Sequence, residues 1–195
     1  MNILEADGIE LYFDNKSILN NIYFKAEKGV LTAILGSNGS GKSSLLKIIY
    51  GTLKPKYKSI RIDSKHVSKP LFTTKKVKYL AQFHFLPDSM KVKTAFEFYG
   101  VSFDDFTTNF ESFKKYENQK FKTFSGGEKR VIETYICLKS TSEIVLLDEP
   151  FSHIAPLYIE KIKELITKES QQKIIVITDH LYKHIVDLSN DIYIN

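Results

Sequence analysis

One short segment has the residue types and spacing of a phosphate-binding loop, because it matches the G-x-x-x-x-G-K-[ST] pattern without a mismatch. Its residues, with the serine that follows, are Gly36, Ser37, Asn38, Gly39, Ser40, Gly41, Lys42, Ser43 and Ser44. The glycines let the backbone bend so that successive N–H groups point at phosphate oxygens, and Lys42 adds a full positive charge. The Ser43 hydroxyl has the chemistry to ligate Mg²⁺. The loop therefore predicts binding of a magnesium-bound polyphosphate.

A second candidate site is a pair of carboxylates that directly follows an apolar run. Residues 144–147 read Ile-Val-Leu-Leu and lead into Asp148 and Glu149. In open α/β sheets, ligands bind at the carboxyl ends of the strands. Carboxylates buried there are costly unless they meet a cation or water. Asp148 is therefore predicted to hold Mg²⁺ through water, and Glu149 to orient or deprotonate an attacking water.

Other candidate residues carry weaker signals on their own. The segment 125–128, Ser-Gly-Gly-Glu, has a capping-box pattern, which opens a helix and also leaves N–H groups for an anion. Gln82 follows a predicted strand over residues 77–81, and His180 follows another apolar run at the edge expected to carry Asp148. The capping box is equally typical of an ordinary helix start. Gln82 alone is an ordinary polar strand end, and a lone His is more often structural. Phe13 lies on the core face of its predicted strand, which is typical of a residue that packs in the core.

Hydrophobic periodicity predicts the elements that position these residues. Alternation predicts a strand over 3–13 and a second strand around 22–26, joined by a short turn as an antiparallel pair. Nearly continuous apolar runs at 30–35, 144–147 and 174–177 are typical of strands buried on both faces. Helical spacing predicts helices over 43–50 and 157–169. Strand, helix and strand in this order indicate a parallel α/β sheet.

Residues 83–123 are rich in Phe and charge, and they predict a short, mostly helical insertion. Thr94 and Glu97 have capping-box spacing, which predicts that a helix opens there. We expect most of the phenylalanines at 83, 85, 96 and 98 to be core residues.

Composition and charge exclude several classes of protein. The chain has 195 residues, 43% of them hydrophobic and 26% charged, as is ordinary for a soluble globular protein. With one cysteine, Cys137, an intrachain disulfide is impossible. No apolar run approaches the roughly 18 residues that span a bilayer, and the first residues lack a signal-peptide pattern. The net charge of +5 comes without a block of like charges, so we expect no direct nucleic-acid partner.

In their order along the chain, these motifs resemble those of the nucleotide-binding subunit of ABC transporters, and the resemblance covers essentially the whole chain. The matching segments are Walker A at Gly36–Ser43, the Q-loop glutamine at Gln82, the signature at Phe124–Glu128, Walker B with its catalytic glutamate at Ile144–Glu149 and the switch histidine at His180. Phe13, with Tyr12 as the alternative, is similar to the aromatic residue that stacks on adenine.

The resemblance implies an α/β P-loop NTPase fold: a RecA-like parallel sheet core, an N-terminal antiparallel β-subdomain and a short helical insertion. It implies a single domain over 1–195. About 1–82 and 124–195 would form the ATP-binding core with its β-subdomain, and about 83–123 the helical insertion. We expect no regulatory domain after the last strand.

The resemblance also implies ATP hydrolysis in a head-to-tail dimer, with ATP and Mg²⁺ as cofactors. ATP would lie between Walker A of one subunit and the signature of the other, which comprises Ser125, Gly126, Gly127 and Glu128. Closure and reopening of the dimer would drive a transmembrane permease from the cytoplasmic face of the membrane. We expect the second ATPase subunit to be an identical copy and favour an exporter.

Within the site, the resemblance implies a role for each motif residue. Glu149 would poise the water, and His180 would contact the γ-phosphate. Lys42 would bind the β- and γ-phosphates. The residues implied to serve Mg²⁺ are Ser43, Gln82 and Asp148.

Three features depart from the family pattern. Phe124 stands where the signature usually has Leu, and Ala155 replaces the D-loop aspartate, which puts coupling between the two sites in doubt. The stretch from Gln82 to Ser125 is also short. The main alternative is a non-transport ABC ATPase that acts on ribosomes or DNA. A P-loop kinase of a small molecule and an ATP-binding scaffold without hydrolysis are further alternatives.

Overall fold

The computed structural model describes residues 1–179, 185 and 191–194, and two sheets organise this part of the chain. An antiparallel sheet has the strand order β2-β1-β4-β5, and a parallel sheet has the order β6-β7-β8-β3-β9. The strands are β1 (Ile3–Phe13), β2 (Lys16–Glu27), β3 (Leu31–Leu35), β4 (Tyr57–Ile62), β5 (Lys65–His66), β6 (Val77–Leu80), β7 (Ile144–Asp148), β8 (Ile174–Asp179) and β9 (Asp191–Ile194). The α/β fold with its antiparallel β-subdomain confirms the predicted fold class.

Five α-helices and three short 3₁₀ helices connect the strands in the described part. The α-helices are α1 (Lys42–Tyr50), α2 (Val92–Tyr99), α3 (Phe103–Asn109), α4 (Gly126–Lys139) and α5 (Pro156–Ser170). The 3₁₀ helices are Leu71–Thr74, Glu111–Tyr116 and Phe121–Thr123.

The apolar runs of the parallel sheet are continuous because both faces of the sheet are covered. In β7, Val145 and Leu147 pack into the core beneath α4 and α5, whereas Ile144 and Leu146 pack into the core shared with α1 and the β-subdomain. β3 and β8 divide their residues between the two cores in the same way. A strand buried on both faces needs no polar alternation, which confirms the prediction from the runs.

β1 does not keep its alternation to its end. Its register against β2 shifts between Ile9 and Leu11 and again between Leu11 and Tyr12. Such irregularities turn side chains away from the face that the period of two predicts. Leu11 stays buried, but Phe13 is 49% exposed, so its core-packing alternative is wrong.

Residues 92–123 contain the predicted helical elements, and aromatic rings hold them against the rest of the fold. The Phe106 ring lies 4.9 Å from that of Tyr135 in α4, and the Phe113 ring lies 5.5 Å from that of Tyr158 in α5. Phe124 packs against Phe113 and Tyr116. The aromatic side chain at position 124 therefore fits a neighbourhood that is itself aromatic.

The predicted capping box at Thr94 and Glu97 is wrong. α2 begins at Val92, and Thr94 lies inside it. The first N–H groups of α2 donate to backbone carbonyls across the insertion. The Val92 N–H donates to Gln119 at 3.0 Å, and the Lys93 N–H donates to Glu117 at 2.9 Å. Because the neighbouring segment satisfies these donors, the helix starts without a side-chain cap.

The prediction that most of the four clustered phenylalanines are core is also wrong. Phe96 is buried and Phe85 is partly buried against the core. Phe83 and Phe98 are 79% and 73% exposed. α2 buries only one stripe, and Phe98 lies off that stripe.

Candidate functional site

The glycine-rich loop runs from the end of β3 to the start of α1. Gly39 and Gly41 adopt positive φ angles of 82° and 96°, a region open to glycine at little cost. A Cβ on Gly41 would also come within 2.8 Å of Leu19 Cδ2. The Lys42 ammonium donates to the carbonyls of Gly36 at 2.7 Å and Ser37 at 2.9 Å. The loop thus folds around its own lysine beside the N-terminus of a helix.

Asp148, at the carboxyl end of β7, is fully buried and accepts hydrogen bonds from three hydroxyl groups. Its Oδ1 accepts from Ser43 at 3.0 Å and from Thr178 at 2.7 Å, and its Oδ2 accepts from Tyr79 at 2.9 Å. Burial, together with the charge of Asp148, raises the pKa of Tyr79. The bond between Ser43 and Asp148 joins the loop to the second motif.

The Ser43 hydroxyl and the Asp148 carboxylate are oxygen donors of the kind that Mg²⁺ takes alongside phosphate oxygens. Within the described residues, no cluster of three His, Cys, Asp or Glu side chains could hold a metal. Where a substrate phosphate supplies ligands, Mg²⁺ usually takes only one or two carboxylates from the protein.

Glu149 and Gln82 meet at adjacent strand ends. Gln82 Nε2 donates to Glu149 Oε2 at 3.3 Å, and the Ser152 hydroxyl donates to the same oxygen at 3.2 Å. Glu149 has a φ of 52°, a left-handed conformation that costs a residue other than glycine about 1–3 kcal/mol. Its N–H donates to the Thr178 carbonyl at 2.8 Å, which holds the bend against β8.

Gln82, Glu149 and part of the glycine-rich loop line one cavity of about 480 Å³. This cavity brings together residues from four predicted motifs. The cavity is lined by Phe13, Ile18, Asn38, Gly39, Gly41, Lys42, Ser43, Ser44, Gln82 and Glu149. The other predicted loop residues, Gly36, Ser37 and Ser40, do not line it, and Asp148 reaches it through Ser43. Phe13 forms part of the cavity wall. Tyr12 does not line the cavity, and the centroid of its ring lies 5.2 Å from the Lys56 ammonium.

The predicted signature residues lie outside this cavity, at the start of α4. Ser125 caps the helix in a complete capping box with Glu128, as predicted. The Glu128 N–H donates to Ser125 Oγ at 3.3 Å, and the Ser125 N–H donates to Glu128 Oε2 at 2.9 Å. Gly127 packs on the segment that follows Glu149, because a Cβ there would lie 2.1 Å from the His153 carbonyl oxygen. His180 lies outside the described residues.

Sequence reasoning missed residues that organise the site, among them Tyr79 and Arg130. Tyr79 bonds Asp148, and Arg130 in α4 donates to the backbone carbonyls of Ala81, Asp148 and Glu149. Burial lowers the pKa of Arg130. The sequence carried no signal for Arg130, because a charged residue beside an apolar pair is ordinary in an amphipathic helix.

A larger cleft of about 590 Å³ lies where β6 and β7 begin, with Lys76, Glu143 and Lys65 among its lining residues. It contains none of the motif residues, so size alone does not identify the site. Among the helices of the described residues, none combines the length and apolar character needed to cross a membrane.

Comparison with known proteins places the chain in a family. The sequence profile described as ABC transporter matches residues 19–152. The energy-coupling factor transporter ATP-binding protein EcfA of Methanococcus maripaludis is 30% identical over 215 residues, covering 100% of this chain and 76% of that protein. ABC transporter A family member 11 of Dictyostelium discoideum is 27% identical over 191 residues, covering 92% of this chain. The chain spans 23% of the length of that protein.

A solved structure of the ATP-binding subunit of an ABC transporter superposes with a TM-score of 0.83 at 20% identity, covering 98% of this chain and 85% of that one. At that identity the likeness supports the fold alone. The profile match over more than half of the chain, together with the EcfA relative, shows the family. The chain belongs to the ABC transporter family as an ATP-binding domain, and the ATP-binding members of this family are ATPases.

Proposed function

We propose that the chain binds and hydrolyses Mg-ATP in a head-to-tail dimer and thereby powers transport through a separate membrane partner. The observation that carries this proposal is the convergence of Lys42, Ser43, Gln82 and Glu149 on one cavity, with Asp148 bonded behind Ser43. A phosphate-binding loop, a carboxylate to hold a cation and a second carboxylate to activate water are the parts that phosphoryl transfer to water requires.

The glycine-rich loop would hold the phosphates. Its backbone N–H groups and the N-terminus of α1 favour negative charge, and the Lys42 ammonium lies at the same place. Phe13, half exposed in the cavity wall, would stack on the adenine. Ser43 and Asp148 would hold Mg²⁺, with Gln82 as a further ligand, and the bound ion would neutralise charge on the phosphate oxygens.

Glu149 would position and deprotonate the attacking water. Its carboxylate lies in the cavity wall and bonds Gln82 and Ser152, so its orientation is set before a substrate binds. We infer that Gln82 orients this carboxylate and that His180 contacts the γ-phosphate. Preorganised groups of this kind lower the barrier because they need little reorganisation during the reaction.

The position of the signature supports a dimer. Ser125 and Gly126 are exposed and lie outside the cavity that holds the other motifs, so they would act on the nucleotide of a second subunit. Ala155 is the N-cap residue of α5 and offers no side-chain hydrogen bond, where an aspartate could have bonded the helix N–H groups. We infer that the dimer contact at this loop relies on backbone and apolar groups.

A membrane partner is proposed from the family and from exposed apolar surface. Phe83 follows Gln82 directly, and Phe83 and Phe98 are both largely exposed. Contiguous exposed apolar patches are typical of surfaces that bind another protein, and we propose that Phe83 and Phe98 belong to one such patch. We propose that this surface meets the permease, that the chain works at the cytoplasmic face and that transport is in the export direction.

The oligomeric mass of Glu149→Gln, measured by light scattering with and without Mg-ATP, tests the proposal. The variant should bind ATP without hydrolysing it, so ATP should shift the mass from 22.5 kDa to about twice that value. Glu160→Gln, at an exposed position in α5, is the matched control and should retain the ATPase activity of the unmodified chain.

A second variant tests the contact between subunits. In the Glu149→Gln background, Ser125→Arg should leave ATP binding by the monomer intact and block the ATP-driven shift in mass. Ser102→Arg alters the N-cap of α3 and serves as the control for the loss of a cap alone. Normal dimerisation of the Ser125→Arg variant would contradict the proposed role of the signature, and ATP turnover by Glu149→Gln would remove Glu149 from its role.

A further inference from the structure

Two buried charged residues follow the signature in α4 and take part in none of the motifs. Arg130 is 2% exposed and Glu133, three residues later, is fully buried. Burying a charge is costly unless it is paired and hydrogen-bonded, and an apolar pair of similar size often gives equal stability. The bonds that these two side chains make therefore indicate what they do.

Glu133 binds the segment just after Gln82. Its Oε1 accepts from the backbone N–H groups of Phe85 at 2.8 Å and Leu86 at 3.0 Å. Its Oε2 lies 2.8 Å from His84 Nδ1. One carboxylate thus contacts three consecutive residues of the Q-loop.

Arg130 binds the chain just before Gln82. Its guanidinium donates to the carbonyl of Ala81 and also to the carbonyls of Asp148 and Glu149. The same group therefore ties the end of β6 to the end of β7. The ion pair between Lys129 and Asp88, at 2.6 Å, joins α4 once more to the chain that follows Gln82.

We propose that Arg130 and Glu133 are positioning residues that hold the segment 81–86 against α4 from both sides of Gln82. Gln82, at the cavity, and Ser125, at the start of the same helix, then keep one relative position. A change at the site that moves Gln82 would move the signature with it. The expected change in kcat rests on the proposed ATPase function. The hydrogen bonds by which Arg130 and Glu133 hold segment 81–86 do not depend on that function.

The positions of His84 and Gly126 support this link. The imidazole of His84 contacts Glu133 on one side, and its Nε2 would lie 3.7 Å from a Cβ on Gly126 on the other. The ring thus lies between the buried carboxylate and the signature. The His84 side chain therefore lies next to the first turn of α4, in addition to the hydrogen bonds of Arg130 and Glu133.

Three variants of the full chain test the proposal. Glu133→Ala removes the acceptors for Phe85 and Leu86, whereas Glu133→Gln keeps an acceptor oxygen and the shape of the side chain. Thr134→Val is the matched control, because Thr134 is fully buried in the next position and its hydroxyl has no hydrogen-bond partner among the described residues. Each variant is measured for amide hydrogen exchange over residues 83–86, for ATP affinity and for kcat.

We expect Glu133→Ala to lose amide protection over residues 83–86 and to show kcat about tenfold lower, with the ATP Kd within about twofold of the unmodified chain. We expect kcat to fall while the ATP Kd changes little, because Glu133 does not line the ATP cavity but sets the position of Gln82. Glu133→Gln should recover most of the protection and of kcat. Thr134→Val should match the unmodified chain in all three measurements.

Other results would overturn the proposal. Unchanged protection and kcat in Glu133→Ala would do so, as would equal losses in Thr134→Val. If Glu133→Ala does not fold, a Glu133→Gln variant with kcat as low as a catalytic knockout also contradicts a positioning role. If the unmodified chain hydrolyses no ATP, the proposed function fails. The exchange data for Glu133→Gln and Thr134→Val then test only whether Glu133 holds residues 83–86 in place.

Discussion

The phenol of Tyr79 donates a hydrogen bond across 2.9 Å to Oδ2 of Asp148, from the strand next to the one that ends in this carboxylate. Ser43 and Thr178 bond Oδ1 of the same group. Three hydroxyl donors thus orient one buried carboxylate at the carboxyl edge of the sheet. Outer-shell groups of this kind fix the direction in which a metal ligand points.

Tyr79→Phe should weaken magnesium binding more than ATP binding. The loss of one donor to a buried carboxylate should lower the free energy of unfolding by about 1–2 kcal/mol. The Mg²⁺ concentration for half-maximal ATPase activity should rise about tenfold. Tyr23→Phe removes a similar bond, to Glu5 on the exposed β-subdomain, and should leave magnesium dependence unchanged. An unchanged magnesium titration for Tyr79→Phe would show that Asp148 is oriented without it.

Lys42→Ala should lower ATP affinity by about 10- to 100-fold, the range expected when a charge-assisted hydrogen bond to phosphate is lost. Titration calorimetry with Mg-ATP measures the effect. Lys47→Ala, in the last turn of the same helix, removes a lysine that does not line the cavity and should bind ATP normally. Equal affinities for the two variants would count against a phosphate-binding role for the loop.

Gly127→Ala should destabilise the fold, whereas Gly126→Ala should not. A Cβ at position 127 would overlap the His153 carbonyl oxygen at 2.1 Å, and the backbone there has little freedom to move. A Cβ at position 126 meets its nearest atom at an ordinary 3.7 Å. Overpacking costs about 1–3 kcal/mol, so thermal unfolding should begin several degrees lower for Gly127→Ala alone. Equal melting temperatures would mean that α4 moves freely against the segment beyond Glu149.

Cys137 should be unreactive in the folded protein. The thiol is buried in α4, and burial raises its pKa to about 12. At pH 8 only about one thiol in ten thousand would be ionised, and the thiolate is the reactive form. Reaction with Ellman's reagent at pH 8 should therefore be at least about 100-fold slower in buffer than in denaturing urea. Similar rates in the two conditions would show that the core around α4 opens readily.

The sequence by itself determined the features that depend on neighbours along the chain. The spacing of Gly36–Ser43 predicted the loop between a strand and a helix, and the continuous run before Asp148 predicted a strand covered on both faces. The capping box at Ser125 was predicted in the same way, because it needs only residues three apart. Local patterns also misled where distant segments intervened: the N–H groups of α2 are satisfied by residues 117–119, so Thr94 caps nothing.

Only the tertiary structure decided which distant side chains meet. Strand order placed β6 beside β7, and this contact brought Gln82 to Glu149 and Tyr79 to Asp148. The register shifts of β1 turned Phe13 out of the core and towards the cavity. Arg130 and Glu133 are ordinary charges in the sequence, and their role followed only from the packing of α4 against both strand ends. Contacts between residues far apart in sequence depend on topology and register, which no local pattern of residues encodes.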